Sequence, residues 1–173
     1  MSHSSHGAAT RYPQRSRPFQ TRRGTMPIVG ALAVQRLDVG VAHLYARAVL
    51  AIARANEELG LEEGLRLQER VQTRAGFSMS LDDLLLFEPL LPSELAAQLR
   101  VSAAPFRGIA IHPGELAALI VVDAIRVVLA KGYVAEAEAR ELVRFGTALG
   151  CSIEEIRKLS AETAPFLSAL DGL

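Results

Sequence analysis

The sequence predicts an all-α protein, a single globular domain of seven to eight helices built from two pseudo-symmetric halves. Three observations support this. Set on itself without gaps at an offset of 72 residues, the chain places Gly60 on Gly132, Glu69 on Glu141 and Val71 on Val143; Ser80-Leu-Asp-Asp-Leu84 falls on Ser152-Ile-Glu-Glu-Ile156. Upstream, Leu44, Ala46, Val49 and Arg54 meet Leu116, Ala118, Val121 and Arg126. Solenoid repeats recur at roughly 20 to 50 residues, so this longer period indicates two copies of one helical unit sharing one core. Composition is the second observation: 173 residues that are 50% hydrophobic can enclose a continuous core, yet only 5% are aromatic and none is Trp. Such a core is made of Leu, Ala, Val and Ile, which suits packed helices better than sheets. Third, apolar residues recur at spacings of three to four between glycines and capping residues.

The elements follow in order. Residues 1 to 25 contain five Arg, no acid and little to bury, so they are expected to form a disordered basic tail ahead of a folded domain spanning 26 to 173. The tail lacks the apolar stretch of a secretory signal, and Pro13 and Pro18 interrupt any amphipathic transit helix. Met26 stands where order should begin and is an alternative start. The first half covers about 38 to 100. Asp38 caps a predicted helix to about Leu59, with Leu44, Ala48, Ala51 and Ala55 on one face and Gly60 as a left-handed stop. A second helix is expected from Glu62 to Ala75, with Leu65, Leu67 and Val71 inward and Gly76 ending it. Ser80, followed by Asp83 three residues on, opens a short helix in the manner of a capping box. Pro89 and Pro92 break the chain, and Ser93 can cap a helix to about Arg100.

After a connector, 101 to 113, comes the second half, about 113 to 170. Its first helix, Pro113 to Lys131, is apolar nearly all round and is expected to lie at the centre. Gly132 terminates it. Helices from Ala135 to Leu149 and from Ile153 to Ser160 follow, the latter capped by Ser152 with Glu155. Last come one or two turns between Ala161 and Leu170, in which Phe166, Leu167 and Leu170 close over the core.

Charge and cysteine usage narrow the function classes. Net charge is zero, but residues 26 to 173 hold 14 Lys plus Arg against 19 Asp plus Glu, so the body is acidic and nucleic acid is an unfavourable partner. A single cysteine, Cys151, excludes an intramolecular disulfide and points to a reducing compartment, so a cytoplasmic location is expected. No transmembrane segment is expected, because Asp123 and Arg126 interrupt the longest apolar run.

The run Ala130-Lys-Gly-Tyr-Val-Ala-Glu-Ala-Glu138, followed by Leu149-Gly-Cys-Ser-Ile-Glu-Glu-Ile156, resembles the TerB-like family of tellurite-resistance proteins. The resemblance covers roughly Val41 to Ala164 and implies an all-helical domain of two similar halves, with a stress-sensing or metal-associated role. The family pattern places acids just before the turn glycine and six residues after it. Here those positions hold Leu59 and Arg66 in the first half, and Lys131 and Glu138 in the second. With one acid in four positions, a divalent cation would face Lys131, and no metal ligand or cofactor is carried over.

Asp123 and Arg126 lie three apart and share a helix face; with Arg54, the repeat equivalent of Arg126, they form a candidate buried polar cluster or interhelical ligand pocket. Asp82, Asp83, Glu154 and Glu155 on the short helices offer a candidate acidic surface for a basic partner. Glu57, Glu58, Glu62 and Glu63 gather around Gly60 without the order of a calcium loop and are expected to form a solvated edge. His43 and His112 precede long helices without zinc-site spacing. Cys151 stands beside a helix N-terminus, where the dipole could lower its pKa. No triad, phosphate loop or paired acid and base is legible, so the protein is expected to be no enzyme. The expectation is a binding, scaffold or sensor domain in a stress-response or envelope-associated assembly, with a protein partner. Two alternatives stand: a divalent-metal-binding TerB-type protein, and a helix-turn-helix regulator. The second is weakened by Glu154 and Glu155 where a recognition helix would meet DNA.

Overall fold

A computed structural model of the chain describes Leu32 and residues 36–56, 59–102 and 111–166. These residues are all-α, with no strand among them. Seven α-helices are described: α1 (Val39–Ala53), α2 (Leu61–Ala75), α3 (Leu81–Leu85), α4 (Pro92–Ser102), α5 (Pro113–Val128), α6 (Glu136–Ala148) and α7 (Ile153–Thr163). A 3-10 turn, Leu129–Lys131, extends α5. No helix among the described residues is long and apolar enough to cross a membrane.

Central placement of α5 follows from its sequence. Every residue from Leu116 to Ile125 is buried, and the helix packs against α1, α2, α6 and α7. A helix apolar on all sides has no face to offer water, and each fully buried Leu, Ile or Val contributes about 1.5–3 kcal/mol. Pro113 occupies the first turn, where its missing N–H costs nothing, and His112 caps that turn by accepting from the Gly114 amide at 3.2 Å. On α1, Asp38 accepts from the Val41 amide at 3.0 Å. Where α6 meets α7, a Cβ on Gly146 would lie 2.7 Å from Cδ1 of Ile156, so the two helices approach as closely as they do because that residue is glycine.

Several expectations are corrected by the geometry. Helix α1 ends at Ala53, not near Leu59, and Gly60 is no left-handed stop: with φ −67° and ψ 159° it is the extended N-cap of α2, its amide donating to Glu63 Oε2 at 2.9 Å. Gly132 is left-handed, φ +94°, as are Gly76 and Gly150. The two glycines equated at the 72-residue offset thus have different conformations, and the N-cap of α6 is Ala135. The offset does hold at the serine caps, where Ser80 accepts from the Asp83 amide at 3.0 Å and Ser152 from the Glu155 amide at 3.1 Å. Leu65 faces solvent, since on α2 the buried stripe runs through Glu63, Leu67, Val71 and Arg74. Phe166 is 78% exposed and does not close the core. The basic tail, residues 103–110 of the connector, Glu57, Glu58, Leu167 and Leu170 lie outside the described residues.

Candidate functional site

Three polar features interrupt the apolar interior or open onto it. The deepest is centred on Asp123, which the apolar face of α5 carries into the core with no exposure. Its Oδ2 accepts from the Tyr45 hydroxyl at 2.9 Å and from Arg74 Nε at 2.7 Å, and its Oδ1 from Arg126 Nη1 at 3.3 Å. Arg70 Nη1 stands 4.0 Å from the same oxygen. Helices α1, α2 and α5 are therefore joined by one carboxylate. Arg74, also fully buried, donates through Nη1 to the Leu32 carbonyl, and its own carbonyl accepts from the Leu37 amide at 2.8 Å. Burial pushes the Tyr45 hydroxyl well above its ordinary pKa, helped by the charge and hydrogen bond of Asp123 and opposed by Arg74.

Of the three residues the sequence proposes for a buried cluster, the fold brings Asp123 and Arg126 together and leaves Arg54 out. Arg54 lies on the exposed C-terminal cap of α1. Tyr45 and Arg74 complete the cluster instead. Tyr45 carried no sequence signal, since a tyrosine on an apolar helix reads as packing; Arg74 was findable, because it falls seven residues after Leu67 on the α2 stripe and so points inward.

The second feature joins two corners. Glu63 and Glu138 are the third residues of α2 and α6, and each accepts its own N-cap amide through Oε2, from Gly60 at 2.9 Å and Ala135 at 2.8 Å. Their Oε1 atoms converge on the Lys131 ammonium, at 2.7 Å for Glu63 and in direct contact for Glu138. Both glutamates are buried, so Glu63 is no part of a solvated edge. Burial pulls the Lys131 pKa down, but hydrogen bonds to Glu138 and Glu63 outweigh it and the net shift is upward. Among the described residues, no group of three or more His, Cys, Asp or Glu side chains is placed to hold a metal ion.

The third feature is an open groove of about 690 Å³ between the end of α1, the segment joining α3 to α4, and α6. Its floor is apolar: Leu50, Ala51, Ala55, Phe87, Leu90 and Leu91. Arg54 stands on one wall; Arg140, Glu141 and Arg144 stand on the other. Arg47 Nε donates to the Glu88 carbonyl at 3.4 Å, holding the connecting segment against α1. Leu91 is 53% exposed, and Leu86, five residues earlier on the same segment, is 81% exposed.

The remaining candidates are dispersed. Asp82 and Asp83 occupy the first turn of α3, Glu154 and Glu155 that of α7, and both Asp83 and Glu155 are engaged in capping. His43 is partly buried, its ring centroid 5.9 Å from that of Phe77 and 6.0 Å from that of Phe87. Cys151 is buried, and desolvation, with the nearby Glu155 charge adding to it, pushes its thiol up to about 11. Burial therefore overrides the helix dipole, and the thiol is neutral at physiological pH.

An alkaline weakness follows. The Cys151, Tyr45 and Lys131 pKa values are all raised by folding, so each contribution is complete below the unfolded-state pKa, roughly 8.5, 10 and 10.4 respectively, and is lost as pH rises through the folded-state value. Thermal melts should show Tm constant between about pH 7 and pH 8 and falling above about pH 9. A Cys151→Ala variant should retain more of its neutral-pH Tm in the lower part of that range, because the first of the three titrations is gone.

Comparison of the chain with protein-family models, with curated proteins and with solved structures finds no match. The fold and its polar features therefore stand as the basis for a functional reading.

Proposed function

We propose that this chain is a non-enzymatic helical binding domain, acting as a scaffold or sensor that engages a protein partner. One observation carries the proposal above the others: the groove between α1, the 86–91 segment and α6 presents an apolar floor inside a polar rim, with leucines continuing onto the adjoining surface. Exposed apolar surface bounded by polar residues is characteristic of protein-interaction sites. The other polar features act structurally: the Asp123 carboxylate and the Lys131 ammonium are each engaged by several partners within the fold. A TerB-like kinship, suggested by the turn motifs around Gly132 and Ser152, agrees with a stress-response or envelope-associated scaffold in the cytoplasm.

The alternatives fit less well. For a metal-binding protein, the Lys131 ammonium occupies the space between Glu63 and Glu138 that a cation would need. For a helix-turn-helix regulator, the first turn of α7 carries Glu154 and Glu155 toward where phosphates would approach.

Affinity capture with the full chain as bait, quantified by proteomics against a matched control, tests the proposal. A protein partner enriched reproducibly and surviving washes at physiological salt is the expected result. Recovery of the chain alone, as a monomer, would overturn it.

A further inference from the structure

The groove also specifies the chemistry of what it holds. Resting on the reading of this domain as a protein-binding module, we propose that the groove docks an amphipathic helix of the partner, one whose apolar stripe is flanked by acidic residues.

Charge is the first reason. Arg54, Arg140 and Arg144 face a single carboxylate, Glu141, along the groove lining, whereas the body from 26 to 173 carries more acids than bases, 19 against 14. The groove lining thus carries the opposite sign to the body as a whole. A cationic rim over an apolar floor attracts an anionic segment and repels a basic one, so it selects by sign as well as by shape.

The existing partners of these arginines do not use them up. Arg144 pairs with Glu141 at 2.9 Å and Arg140 with Glu136 at 3.8 Å; both guanidinium side chains are more than 60% exposed. Exposed pairs within one helix are weak and exchange readily for an incoming carboxylate. Arg54 has no ion-pair or hydrogen-bond partner for its side chain among the described residues and is held beside the floor by the end of α1.

Spacing is the second reason. Arg140 and Arg144 are four residues apart on α6, so their side chains stand about one helical turn apart, ~6 Å. Carboxylates at i and i+4 on a helix lying along α6 would meet them in register. Leu91, 53% exposed, and the partly exposed Phe87 offer apolar contacts for anchors at i, i+3 or i+4, and i+7, the pattern of a helix seated in a groove.

The test uses the full-length chain and two fluorescent designed peptides of about 18 residues, long enough to form a helix on binding. Both carry one leucine stripe; one is flanked by Glu and the other by Lys. Fluorescence anisotropy should give at least ~10-fold tighter binding of the Glu peptide, weakening with added salt. The double variant Arg54→Glu with Arg144→Glu should reverse the preference; both residues are exposed, so an unchanged circular dichroism spectrum and Tm confirm the fold. A separate Leu91→Ser variant should weaken the Glu peptide without altering which peptide is preferred. Equal affinity for both peptides, a preference unchanged in the double variant, or no binding of either overturns the proposal. So does cosedimentation with anionic phospholipid vesicles that is abolished in the double variant while neither peptide binds. A partner recovered by capture that binds the double variant as well as the wild type removes the groove assignment while leaving the protein-binding reading intact.

Discussion

Replacement of Asp123 by alanine is expected to destabilise the protein more than any other single change, by about 3–5 kcal/mol, read as a lower urea midpoint with an unchanged m-value. Removing the carboxylate takes away the charge that the fully buried Arg74 Nε meets at 2.7 Å and deprives the Tyr45 hydroxyl of its acceptor. Water cannot replace it at that depth. Domains of this kind are stable by about 5–15 kcal/mol, so the loss is a substantial share of the total. The converse change, Arg74→Met, should cost less, because Asp123 keeps hydrogen bonds from Tyr45 and Arg126. Tyr45→Phe should cost least, about 1–2 kcal/mol, since it deletes one hydrogen bond and leaves the Arg74 pairing in place. An order of Asp123→Ala, Arg74→Met, Tyr45→Phe by decreasing cost identifies the carboxylate as the group that joins α1, α2 and α5. Equal costs would show that the three contribute only as packing volume.

The second large effect is expected at Lys131. Lys131→Met keeps the apolar stem but leaves the Glu63 and Glu138 carboxylates facing one another in a nearly water-free corner. Loss of the shared ammonium should cost about 2–4 kcal/mol at neutral pH. The two carboxylates still accept the Gly60 and Ala135 amides, so the helix caps persist and the cost is mainly electrostatic. Adding Glu138→Gln should therefore recover part of the loss, because glutamine keeps an acceptor for the cap while removing one charge. Urea unfolding of the single and double variants measures the coupling. Failure of the second substitution to recover any stability would show that Lys131 acts through the packing of its stem.

The contrast between these residues and their sequence signals shows how far linear pattern reaches. Helix α5 was legible because ten successive buried positions admit no solvent face, and the Ser80 and Ser152 helices because a hydroxyl and an acid three residues on determine a helix start locally. The polar pairings were legible only where they were local. Asp123 and Arg126 share a face by helical geometry alone, whereas Asp123 and Arg74 are 49 residues apart and Lys131 and Glu63 are 68 apart. No spacing rule reports such contacts. Arg54 was assigned to the cluster by its alignment with Arg126, but a repeat in sequence constrains position along a helix and not which neighbours surround it. The acidic run at Gly60 misled because it was read by charge alone: Glu63 falls four residues before Leu67 on the buried stripe of α2 and Glu62 does not, whereas its pairing with Lys131, 68 residues away, carried no sequence signal.

Composition and helical periodicity by themselves determined an all-α chain with a central apolar helix, its caps at Asp38, Ser80 and Ser152 and the glycine ends at Gly76 and Gly132, because each depends on residues within a turn or two. Which carboxylates are buried, which cations they hold, and that three arginines line an open apolar groove were decided by how the helices pack. Those features come from side chains far apart in the chain, brought together when the surrounding apolar faces leave water.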